Sequence, residues 1–334
     1  EKEFPTGEEG QKKIQAWADE MKEAGKGKKY DCIVGFSGGC DSSYLLHLCV
    51  EYGLRPLAVH LDNNWNTQIA KDNMLAVTKK LGVDLYTATA NKKEFDDMLR
   101  AFLLSGVPEI DAPSDVALTV GMYQACDKFG VKYIVNGHSF RTEGFFPLGW
   151  FYFDGKYVQD ITDRYGLIEH PSFTHLTFWK FIKWSLSGIK RPRFIYYLDY
   201  DKESVKKMLT KKYGWKWYGG HHHENRYTIF HHWFNWKKFG IDQRLVEASA
   251  MMRAGTMTRS KAEKYVNSEF KIDRDILDEV EKRMRMTVET MLWIPKATVK
   301  DYKTYHLYFK LLKPFFWLMY KTGRLPYSFY KKYC

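Results

Sequence analysis

The stretch Tyr30-Asp-Cys-Ile-Val-Gly-Phe36, Ser37-Gly38-Gly39-Cys40-Asp41-Ser42, Ser43-Tyr-Leu-Leu-His-Leu48 decides how this chain is read. An apolar run predicts a strand, a paired-glycine turn follows it, and Tyr44, Leu45 and Leu48 repeat at helical spacing. Paired glycines let the backbone turn so that successive N–H groups and the N-terminus of the next helix face an anion. The Gly-Lys-Ser/Thr ending of the usual γ-phosphate loop is missing, and no lysine stands within the turn. The cradle therefore suits a leaving pyrophosphate better than γ-phosphoryl transfer.

Working outward, Arg55-Pro-Leu-Ala-Val-His-Leu61 reads as a second strand ending in Asp62-Asn63-Asn64. Lys132-Tyr-Ile-Val-Asn136 reads as a later strand ending in Gly137-His138. Between them the text alternates: strand 84–89, with helices from Ser42, near 67–81, near 93–104, and over 114–129, the last with Ser114 as its expected N-cap. Alternation of this kind predicts an α/β fold with a doubly wound, mostly parallel sheet. Ligands of such sheets bind outside the carboxyl ends of the strands, where all three polar clusters fall.

Residues 1–29 carry the pattern of a leading helix (Ile14, Trp17, Met21), and 30–200 are read as one nucleotide-binding domain. Within it, 140–200 are Gly-, Pro- and aromatic-rich and are expected to add strands and loops. Residues 201–300 turn helical, with expected helices at 204–213, 230–239, 242–254, 260–267 and 273–287. Residues 301–334 interleave aromatic and aliphatic residues with Lys and Arg. Two readings of that tail stand: a segment docked on the core, or a surface for an acidic membrane or a partner subunit. Pro314 and Pro326 exclude one continuous helix there.

A chain of 334 residues is long enough for a full core. No apolar run spans a bilayer and the start is not signal-like, so a cytoplasmic location is expected, with peripheral contact at the inner membrane if the tail meets lipid. The sequence opens at Glu1 without a methionine, which implies a preceding segment in the natural protein. The five cysteines (Cys32, Cys40, Cys49, Cys126, Cys334) form no C-x-x-C pair, which excludes a cysteine zinc ribbon or a disulfide framework as readings. The net charge of +12 suits polyanionic partners of any kind, but no nucleic-acid motif accompanies it, so nucleic acid is not the expected partner.

The SGGxDS turn after a strand resembles the signature of the ATP pyrophosphatase, or PP-loop, superfamily, which includes GMP, NAD and asparagine synthetases and tRNA-thiolating enzymes. The resemblance implies that ATP is cleaved between its α and β phosphates to adenylate a substrate oxygen. Ser37, Gly38, Gly39, Cys40, Asp41, Ser42 and Ser43 would hold pyrophosphate, with Asp41 as ligand to Mg2+. His60, Leu61 and Asp62 would meet the adenine, and Asn136 and Gly137 are further expected nucleotide contacts.

A narrower resemblance rests on motif order. After the loop come Val59-His-Leu-Asp-Asn-Asn-Trp-Asn66, Ile134-Val-Asn-Gly-His-Ser-Phe-Arg-Thr-Glu-Gly144, Arg191-Pro192 with Tyr196 to Tyr200, Gly214 to Phe230, Lys238-Phe-Gly-Ile-Asp-Gln-Arg244 and Ala254-Gly-Thr-Met-Thr-Arg259. This series is similar to the N-acetyl sugar amidotransferase family of bacterial surface-polysaccharide loci. It implies conversion of an N-acetyl group on a nucleotide-linked sugar to an acetamidino group, with ammonia from separate glutaminase and cyclase-like subunits. His138, Arg141, Glu143, His222 and Glu224 are then the expected catalytic residues beside Asp41, with Arg191 helping to hold the substrate. His222 and Glu224 are expected to lie outside the phosphate loop. Related sequences carry an N-terminal pair of Cys-x-x-C motifs that these residues lack. Two rival readings are a tRNA-thiolating enzyme of the same superfamily and a membrane-surface scaffold with a degenerate nucleotide fold. Five histidines between 221 and 232 also raise a metal site, disfavoured because adjacent histidines diverge.

Overall fold

The computed structural model describes residues 4–147, 150–220, 223–322, 324–325 and 327–334. Helix α1 (Gly7–Ala24) leads into strand β1 (Cys32–Gly35), helix α2 (Cys40–Glu51), β2 (Pro56–Asp62), α3 (Gln68–Leu81), β3 (Leu85–Thr89), α4 (Lys92–Leu104), α5 (Ala112–Phe129) and β4 (Ile134–Val135). The four strands pair in parallel in the order β3-β2-β1-β4. The chain thus winds outward from β1 in one direction and returns to its other side with β4. The crevice between the carboxyl ends of β1 and β4 is where a doubly wound sheet binds ligand.

Side chains alternate across this sheet as the period of two demands. Cys32, Val34 and Ala58 face a core made with Ile14, Ala18 and Met21 of α1, Leu45 and Cys49 of α2, and Phe194 to Tyr197. Ile33, Leu57, Val59 and Ile134 face the opposite core with Met98 and Phe102 of α4 and Val116, Val120 and Tyr123 of α5. Both faces of the central strands are covered, so β1 and the first four residues of β2 are apolar, as buried parallel strands are, while the edge strand β3 is only partly buried.

Two expectations are corrected. Helix α5 starts earlier than expected, with Asp111 rather than Ser114 at its N-cap, because Pro113 is well placed in a first turn, where its missing N–H has no partner to lose. The stretch 140–200 holds no strand among the described residues; its aromatic side chains instead line helices α6 (Gly155–Tyr165) and α7 (Phe178–Leu186) and a 3₁₀ turn at Phe194–Tyr197. Strand and helix are hard to tell apart in such text because aromatic residues favour both when buried.

The remainder is helical: α8 (Lys202–Tyr213), α9 (Arg226–Phe239), α10 (Gln243–Arg253), α11 (Arg259–Asn267), α12 (Arg274–Met284), α13 (Val288–Trp293), α14 (His306–Leu311), α15 (Lys313–Lys321) and α16 (Tyr327–Tyr333). Asp201, Asn225, Asp242 and Thr258 cap α8 to α11 through their side chains, each accepting a first-turn N–H. The helix expected over 273–287 is shorter, because Arg285 adopts a left-handed conformation (φ 53°) that ends α12 at Met284; α13 begins beyond it, at Val288. Helices α9, α12 and α13 bury Phe230, Phe234, Val280, Met284 and Met291 against Trp65 and Leu99 of the sheet domain.

Residues 306–334 dock on the rest of the chain. Phe309, Phe316, Met319 and Tyr333 are buried with Phe178 of α7, and the Tyr333 hydroxyl donates to the Phe153 carbonyl (3.1 Å). Of the two readings of the tail, the inner face of these helices follows the first. Among the described residues no helix is long and apolar enough to cross a membrane. Phe316→Ala, which deletes a fully buried ring, is expected to destabilise the protein by about 3–5 kcal/mol in denaturant unfolding.

Candidate functional site

The loop between β1 and α2 is shaped by contacts from distant segments. Gly38 has φ +78°, and a Cβ on it would lie 2.4 Å from the Ala70 carbonyl oxygen. Its own carbonyl accepts hydrogen bonds from Trp215 Nε1 (2.9 Å) and Asn73 Nδ2 (3.4 Å). Only glycine serves there, because the left-handed backbone and the approach of α3 both reject a side chain. Gly39 is the N-cap of α2 and supplies no side-chain cap of its own, so the first-turn N–H groups are left to partners from elsewhere. Ser37 Oγ accepts from Gly39 N (3.2 Å) and lies 3.2 Å from Ser42 Oγ, which puts both hydroxyls on the rim.

Four groups from later in the chain close over this loop. Tyr218 OH accepts from the backbone N–H of Cys40 (3.1 Å), and Ser37 Oγ donates to Glu224 Oε1 (3.0 Å). Asp41 accepts from Tyr200 OH and from Lys202 Nζ (3.0 Å). Burial opposes the charge on Lys202, but Asp41 and Glu143 beside it raise its pKa above the ordinary lysine value. Asp41, the expected magnesium ligand, thus already has a cationic partner. Glu224, expected outside the phosphate loop, touches it, because the turn 214–220 folds back over Ser37 and Cys40.

The second strand ends in a polar knot. His60 bridges the Phe36 carbonyl (2.9 Å) and Asn66 Nδ2 (3.2 Å), and burial lowers its pKa. Asp62 accepts from Asn64 N (2.9 Å) and Asn66 Nδ2 (3.1 Å). Asn225, at the start of α9, donates to Asn63 Oδ1 (3.0 Å), tying the helical region to this turn. Arg283 lies over the Trp65 ring (3.4 Å) and pairs with Asp96. The His-Leu-Asp-Asn-Asn-Trp-Asn motif is therefore largely a bracket that fixes the loop's neighbours.

A cavity of about 700 Å³ runs from the loop across the sheet end. It lies at the upper part of the usual range for small-molecule sites. Ser37, Gly39, Cys40, Asp41, Ser42, His60, Leu61, Asn136, Gly137, His138, Glu143 and Glu224 are on its wall. His138 Nδ1 meets the Glu143 carboxylate there. Gly38, Ser43 and Asp62 are not on the wall: Gly38 is wedged against α3, Ser43 is buried on the inner face of α2, and Asp62 is turned into the Asn64–Asn66 knot. Arg141 is a correction. Its guanidinium donates to the carbonyls of Tyr196 (2.6 Å) and Phe4 (3.3 Å) and covers the Phe140 ring, so it braces the leading segment and does not line the cavity. His222 lies outside the described residues. Among those described, no three His, Cys, Asp or Glu side chains converge as a metal site.

The far wall was not anticipated. Glu109, Asp111 and Asp115 line it together with Arg191, His231 and Lys332. Burial raises the pKa of Glu109 to about 7 and of Asp111 to about 7, the latter helped by the charge on Asp115, and raises Asp115 to about 6. His231 is pushed down to about 4 by burial and is neutral. Arg191 donates to Tyr123 OH and lies over its ring, which stacks on Trp184 (4.9 Å). Lys332 arrives from α16, and burial lowers its pKa. Isolated acids before an ordinary helix, and a lysine near the end of the chain, offered no local pattern by which sequence reading finds them. Tyr200 and Tyr218 did lie within the motifs, where they had no assigned role.

Residues 211–318 match the family model described as LPS biosynthesis protein WbpG-like, C-terminal domain. This part of the chain is similar to that C-terminal domain. The WbpG-like segment includes Tyr218 and Glu224, the residues that close on the loop, so it completes the site rather than standing apart from it. Three of the motifs that carry the resemblance, Gly214 to Phe230, Lys238 to Arg244 and Ala254 to Arg259, fall within the matched residues. Among curated proteins the chain is 34% identical over 114 residues to an uncharacterized protein of Methanocaldococcus jannaschii, a match covering 34% of this chain and 40% of that one. It is 23% identical over 188 residues to a tRNA-specific 2-thiouridylase of Fusobacterium nucleatum, covering 54% of this chain and 50% of that one. The chain spans half or less of the length of these curated relatives. Among solved structures it is similar to an NMN synthetase from Francisella tularensis, at 14% identity and a TM-score of 0.41, over 84% of this chain and 96% of that one.

Two outcomes follow from this geometry. Glu224→Gln removes a negative charge beside the anion loop, and calorimetry in EDTA is expected to show pyrophosphate binding strengthened about tenfold, since a charge a few ångströms away at an effective dielectric near 20 is worth more than 1 kcal/mol. Glu109 has a folded pKa above its unfolded value, so the native state holds more protons between about pH 4.5 and 7. Stability contributed by this group is full below that window and is lost as the pH rises through it. Glu109→Gln is expected to flatten the fall in unfolding free energy between pH 5 and 8.

Proposed function

We propose that the protein uses ATP to activate the carbonyl oxygen of a sugar-borne N-acetyl group and replaces that oxygen with ammonia, giving an acetamidino group, AMP and pyrophosphate. The observation that carries this reading is the cavity joining the N-terminus of α2 and its serine-lined turn to a wall of carboxylates. The first end suits the leaving pyrophosphate, and the second suits the hydroxyls of a sugar, which donate to Glu109, Asp111 and Asp115. The WbpG-like segment supports a role in surface-polysaccharide synthesis.

In this reading the amide oxygen attacks the α-phosphorus and the bond to the β-phosphate oxygen breaks. Ammonia then adds to the activated carbon, the carbon–oxygen bond breaks with AMP as leaving group, and one proton passes from the added nitrogen to a base. His138 is the candidate base, oriented by Glu143. Ser37, Ser42 and the first-turn N–H groups of α2 stabilise charge on the departing pyrophosphate. A magnesium ion takes one or two carboxylates together with phosphate oxygens. On donor chemistry Glu224 fits that need at the loop, and Asp41 fits it on release from Lys202. Ammonia is expected from separate glutaminase and cyclase-like subunits.

The similarity to a tRNA-specific 2-thiouridylase favours a second reading, sulfur transfer to tRNA. That chemistry calls for a reactive thiolate. Burial pushes the Cys40 and Cys126 thiols up to about 12, and the two lie in cores on opposite faces of the sheet. Both facts count against it.

Mass spectrometry of candidate nucleotide sugars incubated with ATP, Mg2+ and ammonium tests the proposal. A product that has exchanged one oxygen for an NH group, with equimolar AMP and pyrophosphate, is expected; ADP and phosphate as products sink it. Ser37→Ala is expected to lower kcat about 10²-fold, in the range seen when one donor to a developing anion is lost.

A further inference from the structure

The outer face of α14 and α15 differs from the inner face that packs on α7. Leu307, Tyr308, Leu311, Leu312, Trp317 and Leu318 are all exposed, Leu311 by 71%, while Phe309, Phe316 and Met319 of the same helices are buried. The inward residues fix how the pair is oriented, so the outward ones cannot turn in to find cover. Trp179, 77% exposed, extends the face across α7: its neighbour Phe178 packs against Tyr308 (5.5 Å). Large contiguous apolar patches of this kind are rare on soluble monomers and mark a docking surface.

Charge says what docks. Residues 302–334 contain seven Lys or Arg and no Asp or Glu, and residues 170–198, which hold α7, contain no Asp or Glu either. Lys310, Lys313, Lys321 and Arg324 are exposed around the apolar face, and none has an acidic partner among the described residues. Lys321 lies over the exposed Trp317 ring (5.6 Å), so the two reach the same depth. Leucines flanked by Trp and Tyr, ringed by lysines with flexible apolar stems, match the layering of a bilayer surface: acyl chains, then the interfacial zone, then anionic headgroups. A protein partner would have to supply a wholly acidic rim around an apolar centre, whereas an anionic membrane supplies both everywhere.

We infer that the outer face of α14 and α15, with Trp179, docks on an anionic lipid surface and holds the protein there as a peripheral protein. This does not depend on the reaction proposed above.

The test is flotation of the full chain with vesicles of phosphatidylcholine alone and of phosphatidylcholine mixed with phosphatidylglycerol. Recovery with the mixed vesicles, at least tenfold above that with the neutral ones and reduced by salt, is expected. Lys313→Ala and Lys321→Ala, exposed changes that leave the fold intact, should each weaken binding about fivefold, the worth of one basic residue near such a surface. Leu311→Glu with Leu318→Glu should abolish it. Failure to float, equal binding to both vesicles, or binding unchanged in the lysine variants overturns the inference. A dimer in light scattering that Leu311→Glu dissolves would assign the face to a second copy instead.

Discussion

The geometry of the site depends on the carbonyl of Gly38. It points away from the crevice, held by Trp215 Nε1 and Asn73 Nδ2, and its left-handed residue is clamped against the first turn of α3. With that carbonyl turned inward, the hydroxyls of Ser37 and Ser42 and the start of α2 face the cavity. A donor-rich concavity in a parallel sheet is achieved by sending the acceptors elsewhere, and here they go to an indole and an amide. The site and the helical region are for this reason one structure: without Trp215 the loop loses the partner that keeps its acceptor out of the way.

The two ends of the cavity solve opposite electrostatic problems. At the loop, Lys202 accompanies Asp41, and the positive end of α2 adds to the field, while Glu224 opposes it. At the far wall, three carboxylates are kept partly protonated near neutral pH by their burial, which makes them hydrogen-bond donors as well as acceptors. A ligand that is anionic at one end and rich in neutral polar groups at the other complements this gradient.

The fold was largely legible because its signals are local. Strand alternation, the glycine pair and the helix caps each occupy a few consecutive residues, and β1, β2 and α3 lie where they were expected within one or two positions. The stretch 140–200 was not legible, since aromatic clusters carry no period until their partners are known. At the site, Ser37, His138 and Glu143, which stand inside contiguous motifs, line the cavity, while Arg141 does not, because a conspicuous charge next to a motif can equally serve to brace a neighbouring segment. Glu109, Asp115 and Lys332 were missed for the converse reason, that only tertiary folding brings them together.

The partners of the loop stand far along the chain: Tyr200 reaches Asp41 from 159 residues away, Tyr218 reaches Cys40 from 178, and Glu224 reaches Ser37 from 187. Closing such long loops is slow, because their entropy is lost before the contacts form. The sheet, whose neighbours are closer in sequence, can assemble first and hold an unfinished crevice. Competence to bind a ligand is then acquired last, so that a refolding chain regains its secondary structure well before it regains its site.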